Sequence, residues 1–396
     1  MRLLLLSFHT CPFEEPGTGL AGGMNIFLRG HLAGLSGRGI ETDVLTRATG
    51  ARLFLSRPFP GVRIFHLPCG WTTPPTRESA LASLPAFLEE ADRIRSAEGA
   101  GCDVVSAHYW MSGVAAARWI RGAEKTVPLV FVYHTVEARK GISPDEERGG
   151  LPAIRKQAEE ELASAADRIV CFTGEDLERT REIFPALSGK GAVIPPGVDD
   201  AFRNPPPREE SRRRLGIPAD AFLFLLAARR DPGKGLSGAA AAVAELRSAM
   251  RIDARLLVAG QDPPAGGAPG GDRYAGSIPH SEMPALYAAA DAVLCPSRYE
   301  SFGFVPLEAM AAGIPVIVPD SGYWGKRVAA GGGGIAYPAE DPGGLSTAVR
   351  SLVLGTGRRR RMPDEARRIA AEFTWERCTE SWAALFASAA RSGSRR

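Results

Sequence analysis

Short apolar runs that alternate with longer helix-like stretches dominate this chain of 396 residues. In the first half the runs begin at Leu3 to Ser7 and end at Ala192 to Ile194, and they predict six or seven strands. Strands that are joined by helices form parallel sheets, so the pattern predicts the α/β class. The same pattern restarts at Phe222 to Ala227 and reaches Val316 to Val318, which predicts a second doubly wound domain.

A proline-rich segment separates the two halves. Pro195 and Pro196 are followed by Pro205 to Pro207, and the residue before a proline is disfavoured in helices. We therefore predict an N-terminal domain at residues 1–200 and a C-terminal domain at residues 201–375. The last segment, 376–396, forms most of a final helix that starts near Trp375, and its apolar face could pack against either half.

The charge balance and the cysteines exclude several classes of protein. Lys and Arg number 48 against 45 Asp and Glu, and a net charge of +3 is too small for a chain built around nucleic acid. The six cysteines contain no C-x-x-C pair and no zinc spacing, so we expect free thiols and no metal site. Met1 to Leu6 reaches polar Ser7 too soon for a signal peptide, and no later stretch is long and apolar enough to span a membrane. We expect a cytoplasmic protein.

Two loops carry residue types that bind phosphate groups. Pro16 to Asn25 is rich in glycine and lies between the first strand and the first helix, where backbone N–H groups can approach an anion. A plain turn explains this loop equally well. Ala228 to Gly235 follows a strand of the second half, and its Arg229 and Lys234 suit a diphosphate. The alternative there is a solvated basic loop.

Paired acids and two histidines are the remaining candidates. Glu300 and Glu308 flank a loop that leads into a helix with Pro306 in its first turn. A carboxylate can accept both hydroxyl protons of a ribose or a sugar, and helix capping is the alternative role. His108 and His134 each follow a strand of the first half, at the sheet edge where α/β proteins bind ligands. An ordinary core histidine fits either position as well.

Together these stretches resemble the family 4 retaining glycosyltransferases of the GT-B fold, whose mark is two glutamates separated by seven residues. The resemblance implies two Rossmann-like doubly wound domains that face a central cleft. It also implies that the first domain binds the acceptor, that the second binds the nucleotide sugar, and that the last helix crosses back to the first. The matching segments are the glycine loop, His108 to Gly113, Ala166 to Arg168, Ile194 to Asp199, Arg229 with Lys234, and Pro296 to Val316.

The resemblance also implies roles for single residues, all of them carried over by motif position. The implied catalytic residues are His134, Glu300, Arg229 and Lys234. The implied donor-binding residues are Gly23, Gly303, Phe304, Val305 and Glu308, the last of which would hold the ribose. The implied acceptor-binding residues are Asn25, Arg77, Tyr109, Thr135 and Arg155. Of these, Tyr109, Thr135 and Arg155 match contacts to an acceptor phosphate, and Arg77 stands where relatives have lysine.

The implied activity is the retaining transfer of a hexosyl group from a nucleoside-diphosphate sugar, expected to be UDP-linked. The implied acceptor is a hydroxyl of a small, phosphorylated polyol or sugar. No cofactor and no metal are expected, because cationic side chains and backbone N–H groups can neutralise the leaving diphosphate.

One alternative is a membrane-associated transferase with a lipid-linked acceptor, suggested by basic Arg358 to Arg361. Another is a non-catalytic nucleotide-sugar-binding protein, suggested by the short segment Gln261 to Asp272. No nucleic-acid partner is expected, and the sequence leaves the oligomeric state open.

Overall fold

The computed structural model of the chain describes residues 1–48, 50, 52–70, 76–98, 101–122, 127–139, 150–263 and 272–393. The chain divides into two compact units. The first contains Met1–Glu14, Thr18–Gly197 and Trp375–Arg396, and the second contains Glu15–Gly17 and Val198–Thr374. Each unit has one sheet of its own with helices between the strands. The prediction of two α/β domains is therefore confirmed.

The first unit alternates strands and helices in the order that its apolar runs predict. Its elements are β1 (Arg2–Ser7), α1 (Gly23–Gly37), β2 (Glu41–Arg47), β3 (Phe54–Ser56), β4 (Val62–Leu67), α2 (Arg77–Ala82), α3 (Leu84–Glu98), β5 (Val104–His108), α4 (Trp110–Arg121), β6 (Leu129–Val132), α5 (Gly150–Ala165), β7 (Arg168–Cys171), α6 (Gly174–Ile183) and β8 (Gly191–Val193). In the described part of this unit the strand order is β3-β4-β2-β1-β5-β6-β7-β8.

Strand β1 lies in the middle of this sheet and pairs in parallel with both β2 and β5. Leu3, Leu5 and Leu6 of β1 are fully buried, as expected for a strand with helices on both faces. The chain first builds the side of the sheet that contains β2 and β4 and then continues on the other side at β5. Ligands of α/β sheets bind at the carboxyl ends of the strands beside such a reversal. The segments after β1 and β5 are therefore the first candidate positions.

The orientation of strand β3 is an exception to the wholly parallel sheet that the sequence predicts. It pairs antiparallel with β4 and lies at the edge of the sheet. Its Phe54 and Leu55 are exposed, so the segment lacks the burial by which the other strands are recognised. The prediction of six or seven strands is wrong, since the described part of the sheet has eight. The strand that the sequence pattern misses is β3.

The second unit repeats the architecture with a smaller sheet. Its elements are α7 (Asp200–Arg203), α8 (Arg208–Leu215), β9 (Phe222–Ala227), α9 (Leu236–Met250), β10 (Ala254–Ala259), β11 (Arg273–Tyr274), α10 (Met283–Ala289), β12 (Ala292–Leu294), α11 (Phe304–Ala311), β13 (Val316–Pro319), α12 (Tyr323–Gly331), β14 (Gly334–Tyr337), α13 (Gly344–Leu354), α14 (Thr356–Arg359) and α15 (Met362–Ala370). Its described strands lie in the order β11-β10-β9-β12-β13-β14, and all pairs are parallel. The order reverses between β9 and β12, which makes the segments after these two strands the second pair of candidate positions.

The last helix, α16 (Trp375–Gly393), packs against α1 within the first unit. Gly30 and Gly34 of α1 lie at the contact. A Cβ on Gly30 would lie 2.2 Å from the ring of Trp375. A Cβ on Gly34 would lie 2.0 Å from Oγ1 of Thr379. Both glycines are therefore required for the close approach of the two helices. The sequence pattern left the partner of this helix open, and the structure assigns it to the first unit.

Candidate active-site residues

In the second unit, the loops after β9 and β12 bring together two of the predicted catalytic residues. Lys234 ends a single 3-10 turn that starts at Pro232, and the carboxylate of Asp231 accepts the Gly233 N–H at 2.8 Å to begin that turn. Nζ of Lys234 lies 2.5 Å from Oε1 of Glu300, and both side chains are partly exposed to solvent. The pair is a salt bridge that an entering anion or hydroxyl group can open.

Backbone contacts hold these two loops against each other. The N–H of Arg298 donates to the Gly233 carbonyl at 3.1 Å. Gly235 has a φ of +71°, and a Cβ there would lie 2.7 Å from the carbonyl oxygen of Pro296. A glycine at position 235 is thus needed both for the left-handed turn and for the close approach.

Arg229 lies at the surface of the same loop. Its backbone carbonyl accepts the side-chain amide of Gln261 at 3.2 Å, and the Ala228 carbonyl accepts the same amide at 3.1 Å. Gln261 is buried and follows β10, so it anchors the start of the basic loop to the next strand. Most of the segment Gln261 to Asp272 lies outside the described residues.

Helix α11 presents the predicted donor-binding residues in its first turns. Gly303 precedes the helix with a φ of +90°, and as a glycine it has no side chain that could cap the first N–H groups of the helix. Phe304 and Val305 are the first two residues of α11, where backbone N–H groups have no partner within the helix. Nε1 of Trp324 donates to the Gly303 carbonyl at 3.0 Å and fixes the turn before the helix. Such a helix start favours a negative charge.

Glu308 of α11 is buried, with only 3% of its surface exposed. Its Oε2 accepts the hydroxyl proton of Tyr287 at 2.8 Å, and its Oε1 accepts Nε2–H of His280 at the same distance. Burial, reinforced by the Glu308 charge, raises the pKa of Tyr287 well above its usual value, so the phenol stays a donor. Each carboxylate oxygen can accept more than one hydrogen bond, which leaves Glu308 able to bind a further hydroxyl.

In the first unit, two of the predicted residues form a buried hydrogen-bonded chain. Nδ1 of His108, at the end of β5, lies 3.0 Å from Nε2 of His134, and Nε2 of His108 lies 3.2 Å from Oγ of Ser106. Burial lowers the pKa of His134 to about 3 and the pKa of His108 well below its usual value. Both rings are therefore neutral near pH 7. His134 also has a φ of +59°, a strained backbone for a non-glycine residue.

A second network surrounds Arg155 of α5 and includes the predicted acceptor residues Tyr109 and Thr135. Nη1 of Arg155 donates to the Tyr109 hydroxyl at 3.1 Å, and Nη2 donates to the Thr135 carbonyl at 2.6 Å. Nε of Arg155 donates to Glu159 at 2.6 Å, and Nη1 lies 2.8 Å from a carboxylate oxygen of Glu137. The sequence gives one signal for this network, because Arg155 and Glu159 have the i,i+4 spacing of a helical ion pair. It gives none for Glu137.

The remaining first-unit candidates lie around the glycine loop. Asn25 is buried, and its side-chain amide donates to Thr10 Oγ1 at 3.1 Å and to the Cys11 carbonyl at 2.7 Å. Its Oδ1 accepts the Gly22 N–H at 2.9 Å, so Asn25 fixes the loop at the start of α1. Gly23 is the first residue of that helix. Arg77 is the first residue of α2, but its side chain lies outside the described residues.

The described residues lack a feature that a metal site requires and one that a membrane span requires. No group of three or more His, Cys, Asp or Glu side chains in this part of the chain could hold a metal ion. Within the same residues, no helix has both the length and the apolar character that crossing a membrane requires.

Two family models match most of the chain. Residues 21–202 match the model for Glycosyltransferase Family 4, and residues 207–369 match the model for Glycosyl transferases group 1. A protein of Actinosynnema mirum named D-inositol 3-phosphate glycosyltransferase is 32% identical, over 98% of this chain and 97% of its own length. A protein of the same name from Geodermatophilus obscurus is 33% identical, over 98% of this chain and 90% of its own length.

Solved structures show the same fold. Sucrose-phosphate synthase from Thermosynechococcus elongatus superposes with a TM-score of 0.85 at 24% identity, over 98% of both chains. Anabaena HepE in complex with UDP-glucose superposes with a TM-score of 0.75 at 18% identity, over 98% of this chain and all of that one. The fold is therefore that of the GT-B glycosyltransferases. The chain belongs to glycosyltransferase family 4, and its curated relatives include the D-inositol 3-phosphate glycosyltransferases.

Proposed function

We propose that this glycosyltransferase moves a hexosyl group from a UDP-linked sugar to a hydroxyl of a small, phosphorylated polyol or sugar, with retention of the anomeric configuration. The observation that carries the proposal is the Lys234–Glu300 pair, on loops that flank the strand-order reversal of the second unit. UDP in the HepE complexes supports the nucleotide, and the names of the curated relatives support a polyol phosphate as the acceptor.

The chemistry follows from the charges on these loops. A departing nucleoside diphosphate gains negative charge, which Arg229, Lys234 and the first N–H groups of α11 can stabilise. As Lys234 turns towards the diphosphate, the Glu300 carboxylate becomes free to accept hydroxyl protons of the donor sugar. We assign the ribose to Glu308, which His280 and Tyr287 hold in place.

In the first unit, we assign a sugar hydroxyl to His134. His134 is neutral and its Nε2 faces His108, so its Nδ1 is the nitrogen left to interact with a sugar hydroxyl. The departing phosphate itself takes the proton of the acceptor hydroxyl on the same face of the sugar. This step needs no protein carboxylate as a nucleophile and no metal ion, because the stated cations balance the charge.

Thermal unfolding with UDP, GDP, ADP and TDP tests the nucleotide site. A nucleotide at about 100 times its dissociation constant adds about 2.7 kcal/mol to the free energy of unfolding. We expect UDP to raise the midpoint of the wild type and to have a much smaller effect on Lys234→Ala. Arg358→Ala removes the same charge from an exposed site and should respond like the wild type.

Transfer is tested by the release of UDP from UDP-glucose and UDP-N-acetylglucosamine in the presence of polyols and polyol phosphates. Turnover that requires both Glu300 and an acceptor supports the proposal. Stabilisation by a nucleotide without any turnover would indicate a binding protein instead. If no nucleotide stabilises the wild type, the proposal is wrong.

A further inference from the structure

The indole of Trp324 lies against the turn that precedes helix α11. Trp324 is the second residue of α12, which follows β13, the neighbour of β12 in the sheet. It is buried, with 5% of its surface exposed. Its Nε1 donates to the Gly303 carbonyl at 3.0 Å, and a Cβ on Gly303 would lie 3.1 Å from the same nitrogen. A side chain at position 303 would therefore crowd the indole.

The turn at Gly303 has few restraints of its own. Gly303 has a φ of +90°, which residues with a side chain rarely adopt, and no side chain caps the helix. Its carbonyl accepts the first hydrogen bond of α11, as the residue before a helix normally does. The indole N–H of Trp324 is a second donor to that oxygen. Trp324 thus restrains, from a neighbouring helix, a turn that no capping side chain holds.

The same contact sets the direction of a backbone N–H group. The peptide bond between Gly303 and Phe304 is trans and planar, so the Gly303 carbonyl and the Phe304 N–H point in opposite directions. Within the described residues the Phe304 N–H has no hydrogen-bond partner. Pro306 has no N–H, so Phe304 and Val305 are the residues of this first turn that can offer one. The indole of Trp324 therefore helps to orient one of these two donors.

Packing holds the indole in place. The centroids of the Phe302 and Phe373 rings lie 5.4 and 5.5 Å from that of Trp324. Gly325 brings the start of α12 against the end of β13, because a Cβ there would lie 2.2 Å from the Pro319 carbonyl oxygen. An indole enclosed in this way cannot leave its acceptor without disturbing the aromatic cluster. The indole N–H is therefore a fixed donor.

We infer that Trp324 is a positioning residue for the diphosphate of the donor. Its indole N–H holds the Gly303 carbonyl, so that the Phe304 N–H stays aimed at the negative charge that the departing diphosphate gains. Trp324 acts through the backbone and does not itself contact the substrate. The inference rests on the proposed function and deepens it, because it names the residue that orients a donor of α11. A donor oriented in advance contributes most where charge develops in the reaction.

Binding of uridine and UDP to Trp324→Phe tests the inference. Phenylalanine keeps an aromatic ring in the cluster and removes the N–H that the Gly303 carbonyl accepts. Calorimetric titration gives the dissociation constant of UDP, and competition with UDP gives that of uridine, which lacks the diphosphate. We expect Trp324→Phe to bind UDP about tenfold more weakly than the wild type, the effect of one lost hydrogen bond to a charged group. Uridine should bind both proteins equally.

Trp110→Phe is the matched control, because it makes the same change at a buried tryptophan of the first unit. Nε1 of Trp110 has no hydrogen-bond partner within the described residues, so this variant loses packing alone. Its ratio of the UDP and uridine constants should equal that of the wild type. The same ratio in Trp324→Phe would show that the indole only fills space, which overturns the inference while the proposed function stands. A wild type that does not bind UDP contradicts the proposed function and the inference with it.

Turnover gives a second readout, which a purely structural role would not produce. We expect the kcat of Trp324→Phe to fall by about tenfold or more, with a smaller change in the KM of the acceptor, because the diphosphate gains charge in the transition state. An unchanged kcat would contradict the role in orienting the donor.

Benzothienylalanine in place of Trp324 isolates the N–H group, and it also serves if Trp324→Phe does not fold. This residue keeps the shape of the indole and has sulfur where the indole has N–H. We expect it to weaken the binding of UDP and to leave the binding of uridine unchanged. A ratio of the two constants equal to that of the wild type would show that the N–H has no role, and the inference would be wrong.

Discussion

At the scale of single residues, Glu308 joins the ribose-binding role that we propose to a structural role. Removing its carboxylate by Glu308→Ala leaves the buried hydroxyl of Tyr287 and Nε2 of His280 without their acceptor. The loss of stability should be about 1–3 kcal/mol, the cost of a buried polar group without a partner. Glu308→Gln keeps an oxygen for Tyr287 and an amide for His280, so its midpoint should lie much closer to that of the wild type. Thermal unfolding without nucleotide measures the difference.

The same pair of variants separates the two roles. If Glu308 binds the ribose, UDP should stabilise Glu308→Gln less than the wild type, even though the variant is folded. Equal stability of Glu308→Ala and Glu308→Gln would contradict the structural role. An unchanged UDP response in Glu308→Gln would contradict the ribose assignment.

The sequence indicates candidate site residues when the signal is local. The spacing of Glu300 and Glu308 is visible in the chain, and the proline three residues into α11 locates the helix. Their partners are not local, because Tyr287 and His280 lie 21 and 28 residues before Glu308 on other elements. Only the folded chain brings them to the carboxylate. The same reason hides Glu137 from a reading of the sequence.

At the scale of elements, the contact between α1 and α16 depends on two glycines. Gly34→Ala would place a methyl group 2.0 Å from Oγ1 of Thr379, so the helices must separate or shift. We expect a loss of about 1–3 kcal/mol, as for overpacking in a filled core. Gly37→Ala is the matched control, since a methyl group at this position, the end of the same helix, would meet no atom within 4 Å. That variant should be neutral or slightly more stable, because alanine favours the helix.

Urea unfolding of both glycine variants measures these differences. A Gly34→Ala variant as stable as Gly37→Ala would show that the helices do not approach as closely as described. Cleavage by a protease within Trp375–Gly393 gives an independent readout, since a displaced helix becomes accessible.

Elements with strong periodicity are those that the sequence predicts well. The boundaries of β1, β9 and α16 each agree with the predicted segments within a few residues. The strands β3 and β11 are short and lie at the sheet edges, so they lack the run of buried residues that marks a central strand. The sequence also does not determine which surface α16 packs against, because an apolar helix face can be covered by any apolar surface.

At the scale of the whole molecule, the number of domains follows from the repeated pattern, but the path of the chain does not. The second unit takes in Glu15–Gly17, although this segment lies between β1 and α1 in sequence. The carboxylate of Glu15 accepts the backbone N–H of His280 at 2.7 Å. A three-residue segment carries no periodicity, so only its contacts assign it to a unit.

The stability of the protein towards acid should depend on histidines buried in the first unit. His31 of α1 is fully buried, and within the described residues its two ring nitrogens have no hydrogen-bond partner. Burial lowers the pKa of His31 to about 3, whereas a histidine in the unfolded chain titrates near pH 6.5. Below pH 6.5 the unfolded chain therefore binds a proton that the folded chain does not. The free energy of unfolding falls as the pH decreases from 6.5 towards 3, by about 1.4 kcal/mol per pH unit for each such histidine.

The variant His31→Phe isolates this contribution. Phenylalanine keeps a flat ring beside Phe27, with which His31 stacks at 5.2 Å, but it cannot bind a proton. Relative to the wild type, His31→Phe should gain about 1.4 kcal/mol of stability per pH unit between pH 6 and pH 4, with a constant difference above pH 7. Leu32→Met changes the next residue of the core without adding or removing a titrating group, so its difference from the wild type should not vary with pH. Urea unfolding at pH 4.5, 5.5, 7 and 8 measures both series. A difference for His31→Phe that is the same at every pH would mean that His31 titrates at the same pH in the folded protein as in the unfolded chain, and hence that the core beside α16 is open to water.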